Sequence, residues 1–343
     1  MADTDIATPS STPKEITDSS AHPKQIEQQN KQQKKLLLPT PKPLKERLWD
    51  FYATQYKLLI IFPVVLMILS LGIIGFFFMQ SGDVFPKDVS LKGGATFTIP
   101  LVNEINAHSV ENKLSLAMPQ HDIVVRNFGL PGSQQGIIVS ADIDINSKEQ
   151  LDVLHDQIES ALGITLIDGE YGIEFFGSSL GASFFRESAI ILLVAFVLMA
   201  LVVFAYFRTF IPSVAIILAA VGDMLVALAF VNLFDIPLGT AGIAALLMLI
   251  GYSVDTDILL TIRVLKRKEG SVDDRIASSI KTGITQTMAA ILTMAIGYTL
   301  GQSDVIRQIM LILMVGLTAD LVFTWIMNVG MLRYYLAKKE ARP

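Results

Sequence analysis

The sequence predicts an α-helical polytopic membrane protein with six transmembrane helices and one small α+β domain between the first two. Three observations carry that reading. Six apolar runs are as long as the ~18–20 residues that cross a bilayer. Lysine and arginine gather at alternate ends of those runs. Residues 80–185, between the first and second runs, have the composition of an ordinary soluble domain.

Composition narrows the function. The 343 residues are 52% hydrophobic and 17% charged, with a mean hydropathy of +0.52. That exceeds what a soluble core requires. The absence of cysteine removes disulfides, thiol catalysis and thiolate metal ligation. Four histidines without ligand spacing argue against a metal site. No nucleophile elbow, phosphate loop or cofactor motif is present, so neither an enzyme nor a cofactor is expected. Nothing points to nucleic acid.

Residues 1–46 are polar and rich in Ser, Thr, Gln, Lys and Pro, and read as a disordered tail with no cleavable signal peptide. The first span covers 58–79. The domain follows over 80–185. The remaining spans cover 188–207, 211–232, 238–262, 280–300 and 305–332, and 333–343 forms a second tail. Lys42, Lys45, Arg47 and Lys57 precede span one, and Arg208 lies between spans two and three. Lys266, Arg267 and Lys268 follow span four, and Arg333, Lys338, Lys339 and Arg342 follow span six. With six spans all of these fall on one side, so both termini are expected in the cytoplasm and the domain outside. The loops at Asn232–Leu238 and Thr299–Asp304 carry neither Lys nor Arg.

Within the domain, 94–100 alternates as a strand and 105–118 has helical spacing. Residues 122–128 and 135–143 read as two strands, 147–162 as an amphipathic helix and 170–176 as a last strand. That order, β-α-β-β-α-β, is the ferredoxin-like arrangement. Gly93–Gly94 lets the backbone turn into the first strand.

Ionisable residues inside a span are costly and usually face the bundle interior. Asp223 and Asp320 fall near mid-span, about 18 and 16 Å above the cytoplasmic edge at ~1.5 Å per residue. Asp255 lies lower, at roughly 12 Å, near Asp257, and Arg263 is near the inner end of span four. Asp255 and Asp257 point in nearly opposite directions. Asp255 is expected inside, with the small residues Gly239, Gly242 and Ala245 packing against a neighbour. Asp257 is expected to meet Arg263 or cytoplasmic water. Asp223, Asp255, Asp320 and Arg263 are the candidates for proton coupling, with Asp257, Thr256 and Thr287 secondary. A carboxylate alternating between a desolvated setting and one near an arginine could load and release a proton. The bland alternative makes these acids structural partners of Thr282, Thr285, Thr293, Thr324 or Asn328, and makes Asp257 and Arg263 interfacial anchors. The basic stretch 264–268 is read first as a topology signal.

VSLKGGATFTI (89–99), FGSSLGASFFRESAI (176–190), VGDMLVAL (221–228), FDIPLGTAGIAALLMLIGYSVDTDILLTIR (234–263) and KTGITQTMAAILT (281–293) resemble the SecD/SecF family of the resistance-nodulation-division superfamily, on its SecF side. The likeness runs over 58–335. Thr256 flanked by two acids, Ile262 before Arg263 and Ser90–Leu91 before the glycine pair look like the archaeal branch. The resemblance implies an accessory subunit for Sec-dependent export in the cytoplasmic membrane. It would pair with SecD, meet the SecYE channel, an unfolded preprotein and membrane lipid, and assign proton-coupled cycling to Asp223 and Arg263. A lipid or amphiphile exporter, and a structural subunit that moves no protons, remain the alternatives.

Overall fold

The computed structural model describes residues 43–101, 105–130, 133–167, 169–267, 269–301 and 303–340. The tail over 1–42, Lys268, Arg342 and part of the turn before residue 133 lie outside the described residues. Six helices are long and apolar enough to cross a membrane: Tyr56–Ser81, Ser178–Phe207, Phe210–Leu233, Thr240–Leu265, Val272–Leu300 and Val305–Lys339. These are spans one to six. The first is interrupted near Ile60, and the sixth contains a π-helical stretch, Phe323–Asn328.

Three helices run past the bounds expected from hydropathy. Span two begins at Ser178, so the last residues assigned to the domain belong to its helix. Span five begins at Val272, where Ser271 and Asp274 form a capping box. Span six continues past residue 332 to Lys339. Helices do not stop where lipid does: the backbone bonds continue until a cap or turn ends them. Residues 43–52 belong to a unit separate from the one that begins at Ala53. The helix Leu44–Thr54 starts inside the expected tail, and the Trp49 and Tyr52 rings lie 5.6 Å apart.

The domain follows the expected order closely. β1 (Gly94–Pro100), a helix (Ala107–Ala117), β2 (Ile123–Leu130), β3 (Ser133–Ala141), a second helix (Lys148–Leu162) and β4 (Gly172–Phe176) form one four-stranded sheet in the order β2-β3-β1-β4. Every pairing is antiparallel. Phe97, Ile99, Ile137 and Val139 fill one face with Leu114, Leu154 and Ile158 of the two helices. Alternation along the strands leaves Thr96, Thr98 and Ser140 on the other face.

That second face looks toward the ends of spans four and six. Together they enclose a cleft of about 470 Å³, lined by Thr98, Arg126, Glu174, Thr240 and Gln308 among others. Hydrogen bonds tie the domain's root to the loop between spans three and four. Asp88 N–H donates to Leu238 O (3.1 Å), Leu238 N–H to Pro86 O (2.7 Å) and Thr240 N–H to Ser90 Oγ (3.3 Å). Asn232 Nδ2 donates to Val84 O (3.0 Å).

The glycines of the domain root are explained by close approach. Gly93 and Gly94 have φ of +94° and +140°. A Cβ on Gly93 would collide with the Ser178 backbone, and one on Gly181 would sit 2.8 Å from Leu91 O. The KGG and GSSLG stretches therefore touch each other where the chain leaves and rejoins the membrane bundle.

Candidate functional site

Spans three, four and six are the buried part of the bundle, with half or more of their apolar windows inside. Small residues bring them together. A Cβ on Gly222 would enter the Phe323 ring, and one on Gly316 would enter Leu249. Between these spans lie Asp223, Asp257 and Asp320, each 0% exposed.

Each of the three accepts or shares a side-chain hydrogen bond. Ser253 Oγ donates to Asp223 Oδ2 at 2.5 Å. Thr324 Oγ1 is 2.8 Å from Asp257 Oδ1 and 2.8 Å from Asp320 Oδ1. Asn328 Nδ2 donates to Asp257 Oδ1 at 2.7 Å. A polar chain thus runs from span three through span four to span six inside an otherwise apolar bundle.

Thr324 sets a constraint. A hydroxyl has one proton to donate. It can donate to one of its two carboxylates, but the other contact needs a proton on the carboxyl side. The Asp257–Asp320 pair is therefore geometrically suited to holding one proton between two acids. Among the described residues, none of the three acids is ion-paired. Asp223 Oδ1, Asp257 Oδ2, Asp320 Oδ2 and Asn328 Oδ1 are buried oxygens without a hydrogen-bond partner.

The structure reverses the expected placement of the two acids in span four. Asp257 is fully buried, whereas Asp255 is on the exposed side. The reason is helical phase. Ser253, Asp257 and Thr261 recur every four residues along the buried face. Gly242 is about 60° from Asp257 around the axis and about 220° from Asp255. The small-residue stripe therefore selects Asp257. Asp257 does not meet Arg263 either: Arg263 Nη1 donates to Thr282 Oγ1 (2.9 Å) and Ser278 O (3.3 Å) on span five. Thr256 is buried and bonds back to Tyr252 O at 3.4 Å, and Thr287 is buried in span five. Asp223 and Asp320 lie where the sequence places them, inside the bundle.

Sequence reasoning gave Ser253 no role and treated Thr324 and Asn328 as generic polar residues. Ser253 was detectable as the residue four before Asp257. The π-helical turn was not, because it depends on packing around Phe323 and Trp325. Such wide turns recur at functional sites, where they change the direction of side chains along a helix. Here the turn carries Thr324 and Asn328.

The comparisons with known proteins agree with this architecture. The model of the SecD/SecF protein-export membrane protein C-terminal family matches residues 168–338. The protein-export membrane protein SecF of Pyrococcus furiosus is 36% identical over 304 residues, 87% of this chain and 97% of that protein. SecF of Methanocaldococcus jannaschii is 35% identical over 303 residues, 84% of this chain and 98% of that protein. The crystal structure of SecDF, a translocon-associated membrane protein from Thermus thermophilus, superposes with a TM-score of 0.66 at 19% identity. It matches 84% of this chain, which spans 38% of that longer one. The fold, the matched length and the identity to these relatives lead to one conclusion: the chain belongs to the SecF family of protein-export membrane proteins.

Proposed function

We propose that the chain acts as the F-type accessory subunit of Sec-dependent export, paired in the cytoplasmic membrane with a homologous SecD subunit and working beside the SecYE channel. Both termini lie in the cytoplasm, and the ferredoxin-like domain stands outside. The cleft between its sheet and the ends of spans four and six is a suitable place for a translocating unfolded preprotein. Span one and span two, largely unburied, face lipid or the partner. The length of the SecDF chain beyond the matched part supports pairing with a second half.

The observation that carries the mechanism is a buried polar set across three spans, with Ser253 donating to Asp223 and Thr324 standing between Asp257 and Asp320. A protein that moves protons needs acids inside the membrane, linked by groups that pass a proton over short distances. Thr324 and Ser253 supply such links. Movement of one span relative to the others would open the set to one side or the other, coupling proton passage to the domain that is hydrogen-bonded to the loop between spans three and four. Arg263, held on span five, would approach the acids only in another arrangement of the spans.

The test replaces Asp223 with Asn in cells lacking the native copy and measures export of a signal-bearing protein, with co-purification of SecD as the control for assembly. Lost export with intact assembly is expected. Full export with intact assembly would leave the structural-subunit reading in place of proton coupling.

A further inference from the structure

We propose that the helix Leu44–Thr54 lies flat on the phospholipid surface, with Leu44, Leu48 and Phe51 sunk among the headgroups and upper acyl chains. The helix is two-faced. At ~100° per residue, Phe51, Leu44 and Leu48 fall within about 60° of one another around the axis, and Tyr52 about 40° beyond Leu48. Glu46 and Asp50 each fall about 160° from Leu48, on the far side. Leu44 is 72% exposed, Leu48 60% and Phe51 50%. The helix has 11 residues. Helices shorter than ~12–15 residues are marginal in water, and packing of an apolar face supplies most of their stability. A short helix with this face bare needs a cover for it.

The path of the chain identifies the cover. Gln55 alone separates Thr54 from Tyr56, where the first membrane span begins. Ten rises of ~1.5 Å place Leu44 no more than about 15 Å along the axis from Thr54. The chain itself therefore keeps the whole helix within reach of the bilayer. Standing upright, the helix would leave its apolar stripe in water. Lying flat, it puts the stripe into lipid and the two acids into water, as interfacial helices do. Trp49 and Tyr52, with rings 5.6 Å apart, are residues that settle at headgroup level. Arg47, about 100° round from Leu48, stands at the boundary, where its stem can follow lipid and its guanidinium can reach phosphate. The helix carries two acids and two bases. Apolar burial rather than headgroup charge thus drives the contact, and it holds on whichever side of the membrane the first span starts.

The experiment uses the absence of cysteine. Nitroxide labels are placed singly at Leu48→Cys, Phe51→Cys, Glu46→Cys and Asp50→Cys in the full-length protein, reconstituted into phosphatidylcholine vesicles. Collision with oxygen, which concentrates in lipid, is compared with collision with a neutral nickel chelate, which stays in water. The oxygen-to-nickel ratio should be severalfold higher for the labels at 48 and 51 than for those at 46 and 50. Nickel reaching both faces equally overturns the proposal, because the stripe is then in water. Exclusion of both reagents at 48 and 51 overturns it as well, because protein then covers the stripe, either a second copy or residues 1–42. A second measurement leaves the helix untouched. The chain has two tryptophans, Trp49 and Trp325, so Trp325→Phe makes Trp49 the sole emitter. Lipids brominated near the headgroup end of the acyl chain should quench Trp49 severalfold more than lipids brominated near the methyl end. Absence of quenching by either lipid overturns the proposal. If Trp325→Phe does not fold, the nitroxide labels decide alone.

Discussion

Two residues along a helix turn a side chain by roughly 200°, and span four uses that turn to separate its acids. Asp257 enters the bundle with Ser253 and Thr261, while Asp255 stays outside. The substitutions Asp257→Asn and Asp255→Asn therefore have different expected outcomes. Asparagine at 257 keeps the size and an acceptor for Thr324 and Asn328 but cannot hold or release a carboxyl proton. Export should fall on the order of tenfold or more, with SecD still co-purifying, because an ionisable group of the proposed proton path is gone. Asparagine at 255 should leave export within about twofold, as an outer-face change breaks none of the bonds among the acids. Equal loss in both variants would contradict the assignment of facing. The information needed for this choice was present in the sequence, in the spacing 253–257–261 and in Gly242. The small residues point to Asp257 only once their phase around the axis is counted, Gly242 lying about 60° from it.

At the scale of elements, spans three and six meet through a glycine and a ring. A Cβ on Gly222 would enter Phe323, the first residue of the wide turn, next to Asp223. Gly222→Val should lower stability by about 1–3 kcal/mol through overpacking, and should disturb the turn that carries Thr324 and Asn328. Gly72→Val in span one, with nothing within 4 Å of its Cβ, serves as the control and should change thermal stability in detergent little. A Gly222→Val protein as stable as the Gly72→Val protein would show that the contact is loose. The elements themselves were mostly legible: strands and helices of the domain begin and end within a few residues of their expected bounds, because alternation and 3.6-residue spacing report local structure directly. What was not legible is non-local. Helix extensions beyond lipid, the wide turn and the meeting of Gly93 with Ser178 depend on partners far away in the chain. The domain's core gives an independent check. Leu154, fully buried against the sheet, should cost about 2–5 kcal/mol when cut to alanine.

For the whole molecule, the decisive question is which side of the membrane each part occupies. The proposed orientation, drawn from basic residues at alternate span ends, has the domain outside and the loop between spans four and five inside. The chain has no cysteine, so one introduced thiol is a unique label. Leu116 is 83% exposed on the domain helix Ala107–Ala117, and Glu269 is exposed in the loop after span four. On intact cells stripped of any wall, a maleimide that cannot cross membranes should label Leu116→Cys and not Glu269→Cys. In inside-out vesicles the pattern should invert. Labelling of Glu269→Cys alone on intact cells would turn the molecule over. It would also put the domain, and the cleft of about 470 Å³ beneath its sheet, on the side where chains enter the membrane rather than where they emerge. The coupling argument depends on this result. Hydrogen bonds from Asp88 to Leu238 and from Gln308 Nε2 to Pro237 O (2.7 Å) connect the domain's root to spans three, four and six. Those spans carry the acids, so under the proposed coupling a change of protonation among them can pull on a domain outside the membrane only if the domain is there.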